Sequence, residues 1–266
     1  MDRSDTESLS MLEDGLRKTM LSTSGAELDA ALGELGWADM LADMHEAAIP
    51  LVFRLLGETG SHASILNDVV LLTSNGELGA IPALPYAGGG WVVWDYAAAD
   101  ESSAMAGLPL RRVDEGGHPR LPDARRAVGW WLVGSATAML NLAHRHALDR
   151  VQFGRPIATF QAVRHRLAET LVAIEGAEAA LSLPGEDNPD LTALLAKAAA
   201  GKAALTAAKH CQQVLGGIGF TAEHELHHHV KRAMVLDGLL GSSKELTRRA
   251  GAGLRARGSA PRLATL

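Results

Sequence analysis

From residue 123 to about 250, apolar positions recur at the three- and four-residue steps of a helix. Val128, Trp131, Leu132, Met139, Leu142 and Ala143 form one stripe, and Phe160, Val163, Leu167, Leu171 and Ile174 form a second. Leu191, Leu194 and Leu195 begin a third run after "NPD" at 188–190, where Asp190 is expected as the N-cap. That helix should end near Leu215, at "GGIG", and Thr221 should cap a fourth helix reaching about residue 238. Four such helices with short links predict an antiparallel bundle.

Upstream the pattern changes twice. Residues 5–57 read as helices, with Leu28, Leu32, Leu35 and Leu41 at helical steps and Gly57 and Gly60 closing the run. Residues 64–120 carry short β-favouring runs split by Asn-Gly, by prolines and by three consecutive glycines, which predicts a small, incomplete sheet followed by a Gly/Pro-rich loop. The expected division is therefore a helical region over 1–62, a reduced β region and loop over 63–121, and the bundle over 122–266. The fold class is mainly α.

Composition supports that class. The 266 residues are 47% apolar but only 4% aromatic, a mix that favours packed helices over sheet. A net charge of −6 argues against a nucleic-acid or anionic-membrane surface, since both need a basic face. Cys211, the single cysteine, has no partner for an internal disulfide, so a reduced, packed thiol in a cytoplasmic protein is expected. The acidic start "MDRSDTESLSMLEDGLRK" lacks the apolar run of a secretory signal, and no stretch of about 20 uncharged apolar residues predicts a membrane span.

Among side chains that carry chemistry, His227, His228 and His229 are consecutive and point about 100° apart on a helix, so they cannot share one metal. His224 and His228 could share a face, but no HExxH-type signature accompanies them. His210 and Cys211 diverge for the same geometric reason and make no dyad. More informative is "DRVQFGRPIATFQAVRHRLAET" at 149–170. A helix ends at Arg150, the chain breaks at Gly154 and Pro156, and a new helix starts at about Thr159 with Gln161 in its first turn. Arg150 is either a phosphate-binding fork or a charge satisfying the helix dipole; spacing alone leaves both open. "QVLGGIGFT" at 213–221 repeats the ingredients: a carboxamide, an approachable glycine turn and a new helix start.

These two segments resemble the C-terminal motifs of the acyl-CoA dehydrogenase family. The first carries its Arg, Phe-Gly and Phe-Gln, and the second its Gln and GGxGF turn. The resemblance covers residues 121–250; the first 57 residues look like a trimmed N-terminal helical domain, and 64–120 match poorly. It implies an acyl-CoA dehydrogenase-like fold and FAD as cofactor. It also implies a role for Arg150, Phe153, Gly154, Gln161, Gln213, Gly216 and Gly217 in holding the ADP half of a neighbouring subunit's FAD. The two positions at which the family places its catalytic base fall on Leu240 and Ala124, so no catalytic residue is expected in this chain, and Asp237, one turn away, is a poor substitute. The Thr-Glu-x-Gly-Ser-Asp type segment that cradles the flavin ring is not visible.

The pattern resembles the short, β-type subunit of heteromeric acyl-CoA dehydrogenases that act on bulky, steroid-derived thioesters. It implies a larger catalytic α subunit as partner in an α2β2 heterotetramer. Two other readings remain open: a degenerate assembly subunit without cofactor, and a self-sufficient flavoenzyme with an unrecognised base.

Overall fold

The computed structural model describes residues 3–73, 76, 78–96, 105–117, 119–184 and 188–260. Helices α1 (Arg3–Ser22), α2 (Ala26–Glu34), α3 (Trp37–Thr59) and α4 (Leu66–Thr73) come first. An antiparallel sheet of β1 (Leu84–Tyr86), β2 (Gly90–Trp94) and β3 (Leu110–Val113) follows. The C-terminal half comprises α5 (Pro122–Asp149), the short hairpin β4 (Val151–Gln152) and β5 (Arg155–Pro156), then α6 (Gln161–Leu181), α7 (Pro189–Leu215), α8 (Leu226–Gly238) and α9 (Ser243–Arg257).

Helix α5 is the axis of the molecule. It packs against α3, α6, α7 and α8, and Val128, Trp131, Leu132, Met139 and Ala143 of its predicted stripe are fully buried. One continuous core runs from Leu16 of α1 through Trp94 of β2 to Leu240 beyond α8. Small residues set the closest approaches: a Cβ on Gly57 would lie 2.3 Å from the carbonyl oxygen of Trp131, and one on Gly134 would lie 2.0 Å from that of Arg54. Gly57 is therefore a helix-crossing residue inside α3, not its terminus. Gly60 does end α3, in the left-handed conformation at φ 70°.

Several local expectations need correction. "ILNDVVLL" forms helix α4 where strand was expected, because Asp68 accepts from the Trp37 indole at 3.1 Å and Leu66, Val69 and Val70 face the core. Asn75 of the expected Asn-Gly break lies outside the described residues. Helix α7 is capped by Asn188, whose Oδ1 accepts from Leu191 N at 3.2 Å; Pro189 and Asp190 are already helical. Thr221 caps nothing: its hydroxyl donates to Ile218 O within a 3₁₀ turn at Gly216–Phe220, and α8 starts only at Leu226. Helix α9, not separately expected, opens on a full capping box between Ser242 and Glu245. Leu35 and Leu171 point to solvent, the inward face of α6 being Thr170, Ile174, Ala177 and Leu181. Helix α7 is long and apolar enough to cross a membrane by length and composition, but in this structure it is largely buried as a core helix of the bundle.

Candidate functional site

The antiparallel register brings the two motif corners to one end of the bundle. Gly129 of α5 packs on Leu181 of α6, and Thr170 of α6 bonds to His210 of α7 at 3.0 Å. The C-terminus of α5, the N-terminus of α6 and the C-terminus of α7 therefore lie together. Arg145 and Glu225 bridge α5 to the segment after the second turn at 3.7 Å. His146 is pushed below its usual pKa, first by burial and then by the positive neighbours His224 and Arg150.

The first corner is built tightly. Arg150 is the C-cap of α5, and its carbonyl accepts from Ile157 N at 2.8 Å, which closes the loop behind the β4–β5 hairpin. Phe153 and Gly154 form the hairpin tip with φ of 53° and 77°. Positive φ is natural for glycine and costs a phenylalanine about 1–2 kcal/mol. Phe153 is also 92% exposed, held only by an edge contact to Phe160 at 6.1 Å. A strained, exposed aromatic at a turn is unusual.

Around this tip Arg150 and Gln161 are exposed, and among the described residues nothing accepts from or donates to their side chains. At the second corner Gln213 is likewise exposed and unbonded, while Gly216 (φ 65°) and Gly217 have open space where a side chain would begin. All seven predicted binding positions thus share one end of the bundle, with free donors and bare backbone. Arg155, which the sequence did not single out, adds another guanidinium there, 4.5 Å above the Phe160 ring. Its place inside "FGRP" was the available signal.

The two positions at which the resemblance places the family's base, Ala124 and Leu240, lie at the opposite end. Ala124 is in the first turn of α5 and fully buried; Arg125 beside it donates Nε to Leu240 O at 3.3 Å. Leu240 is 1% exposed, sits at φ 59°, and donates its own N–H to Pro85 O at 2.8 Å. Asp237 is committed elsewhere: its carboxylate accepts from Ser243 N at 3.0 Å and is buried against Gly201. Along α5, 26 residues separate Ala124 from Arg150, about 39 Å at ~1.5 Å per residue.

The remaining candidates are engaged as follows. His210 Nδ1 bonds to Thr170, and Cys211 is buried, its thiol pushed up to about 12. His224 Nδ1 accepts from Leu226 N at 3.1 Å. Among the described residues no group of three metal-ligating side chains converges.

Comparison with known proteins gives this geometry a family. The model of the acyl-CoA dehydrogenase C-terminal domain matches residues 119–254. Acyl-CoA dehydrogenase IpdE2 of Mycobacterium tuberculosis is 41% identical over 117 residues, 44% of this chain and 37% of that protein. Acyl-CoA dehydrogenase FadE34 of the same organism is 42% identical over 123 residues, 44% of this chain and 17% of its own length. The matched segment thus spans well under half of these curated relatives. Among solved structures, a chain of the ChsE4-ChsE5 complex from Mycobacterium tuberculosis superposes with a TM-score of 0.71 at 18% identity, covering 98% of this chain and 99% of that one. A chain of the Tcur3481-Tcur3483 steroid ACAD variant gives 0.70 at 20% identity, covering 95% and 99%. At such identities these two establish the fold over nearly the whole length, including the reduced sheet. With the family model covering half the chain, the conclusion is that this protein is a member of the acyl-CoA dehydrogenase family.

Proposed function

We propose that this chain is the FAD-gripping, non-catalytic subunit of a heteromeric acyl-CoA dehydrogenase, and that a larger partner chain supplies the base and most of the acyl-CoA pocket. The observation that carries this is the separation of about 39 Å along α5 between the free Arg150 corner and the Ala124–Leu240 end. A single dinucleotide does not reach from one end to the other. A nucleotide tail held at Arg150 therefore belongs to a flavin whose ring lies in another chain.

The residues present fit that tail. Arg150 offers a planar fork to a pyrophosphate, and the carboxamides of Gln161 and Gln213 offer paired donors and acceptors to the nucleotide. Gly154, Gly216 and Gly217 leave backbone bare for close approach. Bound FAD supplies the hydride acceptor for α,β-dehydrogenation of an acyl-CoA thioester. This chain's residues bind and orient the cofactor's tail; its Leu240 and Ala124 can neither take nor hold a proton.

The heteromeric reading is supported by a fold neighbour described as a complex of two chains, ChsE4 and ChsE5, and a bulky steroid-derived substrate by another described as a steroid enzyme. The exposed Phe153, Ile218 and Phe220 beside the corner suit a surface covered by a partner. Replacing Arg150 by Ala in the assembled complex is the direct test. Loss of bound flavin with an intact complex is expected; unchanged flavin content contradicts the reading and favours a purely structural subunit.

A further inference from the structure

At the other end of the bundle, under the three-stranded sheet, lies a cleft of about 490 Å³. Its walls include Tyr86, Trp91, Leu240 and Leu246, and its polar lining includes Arg125 and Arg249. We propose that this cleft is a binding site in its own right, taking a carboxylate carried on an apolar body.

Arg125 donates Nε to Leu240 O, and among the described residues nothing accepts from its two terminal nitrogens, although the residue is only 4% exposed. Its terminal nitrogens are not among the buried unpartnered atoms, so they keep their donors free for an anion entering the cleft. Arg249 lines the same cleft and is close enough to add, after burial, to the lowering of the Arg125 pKa to about 10. Two arginines lining one space, with no ion pair to a carboxylate among the described residues, make a receptor for a bidentate anion.

The two lining acids do not fill that role. Glu245 is engaged by Gly88 N at 2.8 Å and by Ser242 N and Oγ at 3.0 and 2.8 Å. Asp190, in the first turn of α7, attracts Arg125 from a distance without pairing with it. The neighbouring walls are aromatic and aliphatic, and Trp91 is itself fixed flat against Gly116, where a Cβ would sit 2.0 Å from the ring. A free phosphate would leave those walls empty; an apolar carboxylate uses both parts. The volume is that of a small-molecule site. The proposal is independent of flavin binding, which belongs to the far end of the bundle.

Calorimetric titration of the full chain with naphthoate, with its neutral amide naphthamide, and with inorganic phosphate tests it. Saturable naphthoate binding is expected, with the amide roughly 10- to 100-fold weaker through loss of charge-assisted hydrogen bonds. Arg249→Ala, at an exposed position, should weaken naphthoate several-fold and narrow the acid–amide gap while leaving the melting temperature unchanged. Equal affinity for acid and amide, no saturable naphthoate binding, phosphate binding tighter than naphthoate, or indifference to Arg249→Ala would each overturn it.

Discussion

Arg125 donates its Nε to the carbonyl oxygen of Leu240, so the residue at which the resemblance expects the base is gripped by its backbone and sealed by its side chain. This arrangement predicts that Leu240→Glu does not create a dehydrogenase. The new carboxylate would be buried at a left-handed position, with its backbone still tied to Pro85. A stability loss of roughly 2 kcal/mol or more is expected, measured by denaturant unfolding, with no acyl-CoA turnover by the isolated chain. Turnover would show that only the base was missing.

Gly201→Ala tests the packing that fixes the same turn. An added methyl would sit 2.1 Å from Asp237 Oδ1, the oxygen that holds the N-terminus of α9 through Ser243. Lys197 Nζ, buried between the Asp237 and Gly241 carbonyls at 2.5 Å each, leaves little room to adjust. Overpacking of this kind costs about 1–3 kcal/mol. A lower melting temperature of the chain, with flavin retained once it is assembled with its partner, is the expected pair of results.

The capping of α7 separates two neighbours. Asn188→Ala should cost about 1 kcal/mol, because it removes the acceptor for Leu191 N, whereas Asp190→Ala should cost only a few tenths through the helix dipole. Comparative unfolding of the two variants decides it.

Those outcomes bear on how much the sequence revealed. The bundle was legible because Val128, Trp131, Met139 and Ala143 keep helical spacing over a long run, and long periodic signals survive tertiary context. The meeting of the two corners at one end was legible because Arg150, Gln161 and Gln213 sit beside glycine-containing turns; their use in binding is the proposal. What escaped was set by long-range contacts. "ILNDVVLL" becomes a helix because Asp68 meets Trp37, thirty-one residues earlier. The α8 start was misplaced because Thr221 bonds backward to Ile218. Phe153 was named from resemblance, but its strained exposure is visible only in three dimensions.

Acid should destabilise the protein in a defined window. Burial, assisted by Arg232, lowers both His62 and His229 to about 4, so both are neutral in the folded state above that value. The unfolded chain takes up these protons near 6.5, so stability is full above about pH 6.5 and falls as pH drops toward about 4. Melting temperatures at about pH 7.5 and about pH 5 should differ, and His229→Gln should flatten the dependence. A pH-independent melting temperature over that range would contradict the burial of both rings.

The most direct measurement of the central claim is flavin stoichiometry. The chain is purified alone and together with a larger acyl-CoA dehydrogenase chain from the same organism, and bound FAD and chain ratio are quantified. The account predicts a colourless, inactive chain alone and two FAD per assembly of two large and two small chains. A yellow, active homo-oligomer of this chain would contradict it.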